Sequence, residues 1–533
     1  MNPRITKAEL LALTAIVLFS IVVRGLLIDR PFHRDPEGCG SFYGLLGRNY
    51  WRYDLSQTLG VPVMSMGAHD HPTFYPNHPP LVPMLIAAAL GIAGYTSYET
   101  DPFPPDWLIR LPTVPFTIGC VVLVWWLVRK SSSPRAALVA VCLFAAMPMT
   151  LVFGGLIDVI GTQLDFFVLL TIAAYLRLHA TPSVKWLALM SAALFFAGLT
   201  DWPAFFIVPV LGVHFALTKR VREWPWILAF GVISIACFAI PYVQVVLVTH
   251  DWTWIKERFA RRALSSVSDA RAAFTFLDWV EGALYRHMIG RHGWVVIVLA
   301  FGWIVWAIAR IKQPPPAARV TGLVLGWAIL HVLVGRQGVF VHEWWWWPLT
   351  PGVAMAAGLM IDQLCRWYEL PRRGLIDFRP VYTTAALLLG LVAFTAWNTY
   401  HAVAELRAPK GIVIDRPELD YTIDEIGAVI RAAAPPNAVV MLAENDPTLS
   451  LWYYADRPLR TNVWDPWTFE QRRADGTSEL CFNLTERLDA PAAAFVFPKA
   501  YRQPKMEPLY EYLSSRFTMR ELPKFYVFDL KRN

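Results

Sequence analysis

Between two apolar runs the chain reads "VRKSSSPR", Val128 to Arg135, and the side of a membrane on which this basic loop lies decides how the rest of the chain is threaded. The flanking runs, near 107 to 128 and 136 to 155, are each long enough to cross roughly 30 Å of hydrocarbon as a helix. Working outward, further runs of this kind lie near 9 to 28, 163 to 179, 185 to 201, 203 to 218, 225 to 248, 291 to 310, 320 to 336, 345 to 364 and 381 to 400. With the first two, that makes about eleven spans. If the N-terminus is cytoplasmic, the loops on its side hold Arg129, Lys130 and Arg135; Arg177 and Lys185; Lys219, Arg220 and Arg222; Arg310, Lys312 and Arg319; and Arg366, Arg372, Arg373 and Arg379. The opposite short loops, "GGLIDVIGTQLD" and "GLTDWP", have no Lys or Arg. Loop after loop this satisfies the positive-inside rule.

The segment "LVPMLIAAALGIAG", Leu81 to Gly94, is apolar but short, and counting it as a span would invert every later loop. It is therefore read as a juxtamembrane helix at the outer face. Two external loops follow from this threading, 29–106 and 249–291, both inside a membrane domain of residues 1–408. A tail, 409–533, lies on the same external side. There "TIDEIGAVIRAA" has the period of an amphipathic helix, while "AVVML", "AAAFVF" and "FYVFDL" read as strands, so the tail is expected to be a small α/β domain. The fold class predicted is an all-α polytopic membrane protein with a small external α/β C-terminal domain.

Composition agrees. Of 533 residues 56% are hydrophobic and only 17% charged, below the roughly 25% of soluble domains. The net charge of +7 sits largely in the short loops, which reads as topology and not as nucleic-acid binding. The six cysteines form no C-x-x-C pair, so no zinc or redox motif is supported. Cys39 and Cys481 are the two that could meet outside the membrane, and spacing alone does not establish their pairing. The apolar run after "MNPRITKAE" has no small-residue cleavage site behind it and is read as a retained first span.

Several constellations could carry chemistry. The first loop opens with "FHRDPEGCGSFYGLLGRNYWRYDL", placing Asp35 and Glu37 beside the membrane surface, where acids can act on a lipid-linked headgroup or simply stay solvated at a span end. Phe42, Tyr43, Leu45, Leu46, Tyr50 and Trp51 recur at helical spacing and predict a helix lying along the interface. The loop continues with "HDHPTFYPNHPPLVPM", whose His69, Asp70, His71 and His78 are metal-ligand types in an irregular Pro-rich segment, which leaves a divalent metal undecided. Asp158 and Asp165 border apolar stretches with no cation nearby, as does Asp201. Ionisable groups at such depth are functional candidates because burying them is costly, and Asp is also a good helix cap. "HDWTWIKERFARRAL" sets Lys256, Arg258, Arg261 and Arg262 among aromatics, suited to a lipid surface or a lipid phosphate. "GRQGVFVHEWWWWPLTPG" places Arg336, His342 and Glu343 before a span, and Trp344 to Trp347 read as an interfacial aromatic belt.

Taken in order, "DPEGCGSFYGLLGRNY", "YPNHPPLVPMLIAAALGIAG" and "DWLIRLPTVPFTI" resemble the D-E, H-P-P-L and R-L-P signatures of the GT-C glycosyltransferases, protein O-mannosyltransferases and aminoarabinose transferases above all. The resemblance covers roughly residues 10 to 400. Two departures stand out: Pro36 splits the acidic pair, and Asp201 stands where a Lys is common. The resemblance implies a multi-pass inner-membrane enzyme that moves a sugar from a polyprenyl-monophosphate donor to a lipid, glycan or protein acceptor on the external face, with inversion. It implies Asp35 as base with Glu37 orienting the acceptor or sharing that role, the Pro36 split leaving open which of the two, Asp158 or Asp165 as a second acid, and His78 and Arg110 organising the donor pocket. Lys256, Arg258, Arg261, Arg262, Arg336 and His342 are the phosphate-binding candidates. Membrane lipids are expected partners, nucleic acid is not, and no cofactor is implied beyond the undecided metal. Intramembrane acids also suit a transporter or flippase, and a scaffold whose tail binds a partner is a third reading; no inverted repeat supports transport.

Overall fold

In the computed structural model the described residues are 5–32, 37–66, 72–96, 103–257, 260, 274–369, 379–407, 420–443, 449–460, 492–504 and 506–530, with the side chains of Glu37 and Arg379 excepted. Asp35, Arg258, Arg261, Arg262 and Cys481, and the trio His69, Asp70 and His71, lie outside them.

Along the chain the principal helices are α1 (Lys7–Gly25), α2 (Glu37–Asn49), α3 (Leu81–Ile92), α4 (Thr113–Ser131), α5 (Pro134–Ala146), α6 (Pro148–Phe153), α7 (Thr162–Ala180), α8 (Val184–Thr200) and α9 (Ile207–Thr218). They continue as α10 (Pro225–Thr249), α11 (Phe276–His292), α12 (Trp294–Ala309), α13 (Pro316–Val334), α14 (Thr350–Tyr368), α15 (Arg379–Arg407), α16 (Ile423–Ala433), α17 (Leu449–Ala455) and α18 (Glu507–Arg516). Each apolar run falls on a helix, but among the described residues six helices are by length and composition able to cross a membrane, or up to seven when the bent pair α11 and α12 counts as one span.

The remaining runs are shorter or interrupted for local reasons. Met147 precedes Pro148 and is extended, with ψ 141°, because a residue before proline is driven out of the helical region; the run at 136–155 is thereby cut into α5 and α6. Gly293 has φ +85°, open to glycine and strained for other residues, and there α11 and α12 meet at 99°. The run at 345–364 begins as a 3-10 turn, Glu343–Leu349, and becomes α-helical only at Thr350.

The chain divides into two compact units. The first holds Met1–Asp29, Pro76–Val82 and Arg110–Arg407. In it α5 packs on α14 at a backbone-to-backbone approach: a Cβ on Gly358 would come within 2.7 Å of the Ala140 main chain. Small residues at a helix crossing permit such proximity where lipid supplies no hydrophobic drive between helices. The basic loops are tied down by charge. Arg129 pairs with buried Glu9 at 2.6 Å, and Arg135 with Asp362 at 2.7 Å and Glu369 at 2.6 Å.

The second unit joins Arg30–Tyr75 and Pro83–Ile109 with Ala408–Asn533. Its centre is a five-stranded mixed sheet of β1 (Val439–Leu442), β2 (Leu459–Arg460), β3 (Ala492–Pro498), β4 (Thr518–Glu521) and β5 (Phe525–Asp529) in the order β2-β1-β3-β5-β4. β1 runs parallel to β2 and β3, and β5 antiparallel to β3 and β4. Every residue of β3 is buried, the pattern of a central strand covered on both faces.

The interfacial helix expected from Phe42 to Trp51 is corrected here. Phe42, Tyr43, Leu45 and Leu46 are buried in this unit, where α2 packs on α17 of the tail. The apolar stripe meets protein in place of lipid, and the exposed residue of the set is Trp51, at 47%.

Candidate active site

The "YPNHPPL" motif and the "GLTDWP" turn, more than a hundred residues apart, meet in the first unit. His78 Nδ1 lies 2.9 Å from Asp201 Oδ1, and the Trp202 indole donates to the Asn77 carbonyl at 3.1 Å. A carboxylate only accepts, so this contact sets the imidazole proton on Nδ1 and orients the ring. Asp201 is 1% exposed and also caps the turn that follows, accepting from the Trp202 N–H at 2.8 Å. The acid of the "GLTDWP" turn is thus the partner of the "YPNHPPL" histidine. Trp202 in turn packs against Trp254 and Phe238, with ring centroids at 5.6 and 5.4 Å, which holds the start of the second loop against the same turn.

The two deep acids differ. Asp158 is 6% exposed and accepts from the Ile160 N–H at 3.0 Å, a local turn bond. Asp165, in the first turn of α7, is 0% exposed, and among the described residues neither carboxylate oxygen has a partner at bonding distance. The Trp347 indole N–H is directed at this carboxylate from beyond bonding distance. Such a group is costly to bury charged.

Arg110 is 1% exposed and donates to the Ile28 carbonyl at 3.0 Å, so it braces backbone. Lys256 is exposed, beside buried Trp254. Arg336 is exposed at the start of a short helix, and its carbonyl accepts from the Trp279 indole at 3.1 Å. The His342 ring lies 4.6 Å from that of Trp344, tilted by 36°.

The four consecutive tryptophans are not a belt facing lipid: Trp344 to Trp347 are 1–8% exposed. Their 3-10 turn sends them into protein, Trp344 toward Phe153, Trp346 toward Trp279 and Trp347 toward Phe144. The sequence reading also missed Arg291, whose guanidinium grips both Glu343 and Glu405 through four bonds of 2.8–2.9 Å and lies over the Phe153 ring at 5.2 Å. Its charge is fully matched, so it is a brace between α11, the tryptophan turn and α15. Nothing in the spacing of Arg291 and Glu405 signals that pairing.

In the second unit, α17 ties Phe32 to Asp106. Tyr454 Oη accepts from the Phe32 N–H at 2.8 Å and donates to Asp106 at 2.7 Å. Burial first, and Asp106 second, push its phenol far above the ordinary range, so it stays a donor. Just beyond, buried Asp456 pairs with Arg48 at 2.8 Å and Arg52 at 2.6 Å. Among the described residues no group of three His, Cys, Asp or Glu is placed to hold a metal ion.

Residues 69–254 match the family model described as dolichyl-phosphate-mannose-protein mannosyltransferase. Among curated protein sequences none matches. Among solved structures the chain is similar to ArnT from Cupriavidus metallidurans bound to undecaprenyl phosphate, at 15% identity and TM-score 0.61 over 98% of each chain. ArnT from the same organism in the apo state matches at 16% identity and TM-score 0.60 over 97% of each chain. The archaeal oligosaccharyltransferase AglB from Archaeoglobus fulgidus, in complex with an inhibitory peptide and a dolichol-phosphate, matches at 13% identity and TM-score 0.55, over 98% of this chain and 74% of that one. The chain therefore shares the fold of ArnT and AglB, and across residues 69–254 its sequence is similar to the dolichyl-phosphate-mannose-protein mannosyltransferases.

Proposed function

We propose that this protein is an integral membrane glycosyltransferase that moves a sugar from a polyprenyl-monophosphate donor to a lipid, glycan or protein acceptor on the external face of the inner membrane, inverting the anomeric centre. The observation that carries the reading is the match of residues 69–254 to a mannosyltransferase model over the stretch that folds His78 onto Asp201. ArnT bound to undecaprenyl phosphate and AglB in complex with a dolichol-phosphate support the donor class. The eleven spans, the cytoplasmic N-terminus and the external tail belong to this reading.

Direct displacement needs a base at the acceptor hydroxyl, donors at the departing phosphate and a path for the lipid. Asp35 is the base, with Glu37 orienting the acceptor; a carboxylate removes the proton as the hydroxyl attacks the anomeric carbon. Asp158 is preferred to Asp165 as the second acid, because Asp165 has no exposed surface with which to touch a substrate. Lys256, Arg336 and His342 supply donors to the leaving phosphate, with Arg258, Arg261 and Arg262 as further candidates on the loop of Lys256, and His78, oriented by Asp201, adds an Nε2–H donor in its imidazolium form. Arg110 organises the pocket from behind.

The test is transfer by the purified, reconstituted protein from polyprenyl-monophosphate sugars, read as release of polyprenyl phosphate. Asp35→Asn should abolish release while the protein remains folded. If Asp35→Asn is silent and substitutions of Asp158, Asp165 and Asp201 instead stop movement of a lipid across the bilayer, the transporter reading replaces this one.

A further inference from the structure

A further feature lies at the other end of the first unit. From Asp201, α8 runs back 17 residues to Val184, about 25 Å at 1.5 Å per residue, and four residues before Val184 α7 ends near His179. At this end α9 and α13 part to leave a groove of about 490 Å³, lined by Val213, Leu217, Gly322, Leu323 and Leu330, with His214 and Arg319 as its polar members. Val213 and Leu217 are 60% and 82% exposed, facing outward from the helix pair.

Polar groups are gathered behind the groove. Tyr175 Oη and His214 Nδ1 are hydrogen-bonded. His179 Nε2 lies 2.8 Å from Thr218 Oγ1, and the two imidazole rings stand 5.1 Å apart. Arg319 is exposed and makes no ion pair among the described residues, although its charge reaches Tyr175, His179 and His214. Beyond the end of α9, Lys219 is paired with Glu223 at 2.8 Å, and Arg220 and Arg222 extend into solvent. The surface is thus hydrocarbon along its length and cationic at one end.

We propose that this groove is a binding site for an anionic phospholipid, separate from the donor site: one acyl chain lies between α9 and α13, and the phosphate sits at Arg319. Three things favour this occupant. The volume is of the size that encloses a small ligand. Its walls offer nothing polar for most of their length, which suits an acyl chain and not a peptide backbone. Arg319, the cation lining the groove, makes no ion pair among the described residues, and a basic pocket between spans selects anionic headgroups.

The experiment is native mass spectrometry of the detergent-purified full chain titrated with phosphatidylglycerol and with phosphatidylcholine of the same acyl composition. The wild type should bind phosphatidylglycerol several-fold more tightly. Arg319→Ala should weaken phosphatidylglycerol about fivefold and leave phosphatidylcholine unchanged, as expected for one cation beside an anionic headgroup. Gly322→Leu should reduce both lipids by filling the groove, since a Cβ there meets nothing within 4 Å and the helix loses nothing by the change. Equal binding of the two lipids by the wild type, or either variant binding phosphatidylglycerol as the wild type does, overturns the proposal.

Discussion

Asp456→Asn removes one negative charge from a site that holds two cations. Asp456, Arg48 and Arg52 have side-chain exposures of 3%, 11% and 5%, so water cannot take over the guanidinium charges. Asp456 sits at φ +46°, a region that Asn tolerates as well as Asp, which leaves the backbone unstrained by the change. Deleting one partner of a buried pair costs about 3–5 kcal/mol. Asn still offers an acceptor to Arg52, which puts the loss near the lower limit, about 3 kcal/mol, or roughly a hundredfold in the local opening equilibrium. Hydrogen exchange of the full chain in detergent reads this directly: peptides over α2 and α17 should lose about two orders of magnitude of protection, while α5 and α14 keep theirs. Protection within twofold of the wild type would refute the reasoning. The same pair sets a pH dependence. Burial raises the Asp456 carboxyl, but Arg48 and then Arg52 outweigh it and hold it below its ordinary value. The unfolded chain therefore binds the proton first as pH falls. The stabilisation is complete above the ordinary carboxylate range and is lost below it, so unit-two melting should be flat at neutral pH and fall under about pH 4.

Three further outcomes follow from other contacts. Asp201→Asn keeps a competent cap but exchanges a charge-assisted bond to His78 for a neutral one, at about 1 kcal/mol; transfer should fall about fivefold with the melting temperature unchanged, and unchanged transfer would remove His78 from the site. Tyr454→Phe deletes the acceptor of the Phe32 N–H, three residues before Asp35. Initial rates should show kcat lowered about tenfold, the equivalent of one buried hydrogen bond, with KM for the donor unaltered. Gly358→Val drives a side chain into the Ala140 backbone and should destabilise the membrane unit by about 1–3 kcal/mol, seen as a lower melting temperature in detergent.

How much of this was readable beforehand depends on the range of the interaction. The apolar runs located helices throughout, and "AVVML", "AAAFVF" and "FYVFDL" fell on β1, β3 and β5, because period and composition are local properties of the chain. What escaped was long-range. His78 and Asp201 were each singled out, yet no pattern links residues 123 positions apart, and Arg291 found Glu343 and Glu405 only through the packing of three helices. The direction in which an aromatic residue points is equally silent. Trp344 to Trp347 read as a belt because consecutive tryptophans favour interfaces; a 3-10 turn carries them inward instead. The stripe on α2 was likewise correct in period and wrong in partner, since its apolar side is covered by the tail.

The central claim is that the acids of the first loop carry out glycosyl transfer, and mass spectrometry of lipids and protein-linked glycans from cells lacking the gene tests it most directly. Cells without the protein should lack one sugar on a defined acceptor, regained with the wild-type chain and not with Asp35→Asn. An unaltered glycan profile in the deletion, or full restoration by Asp35→Asn, would contradict it.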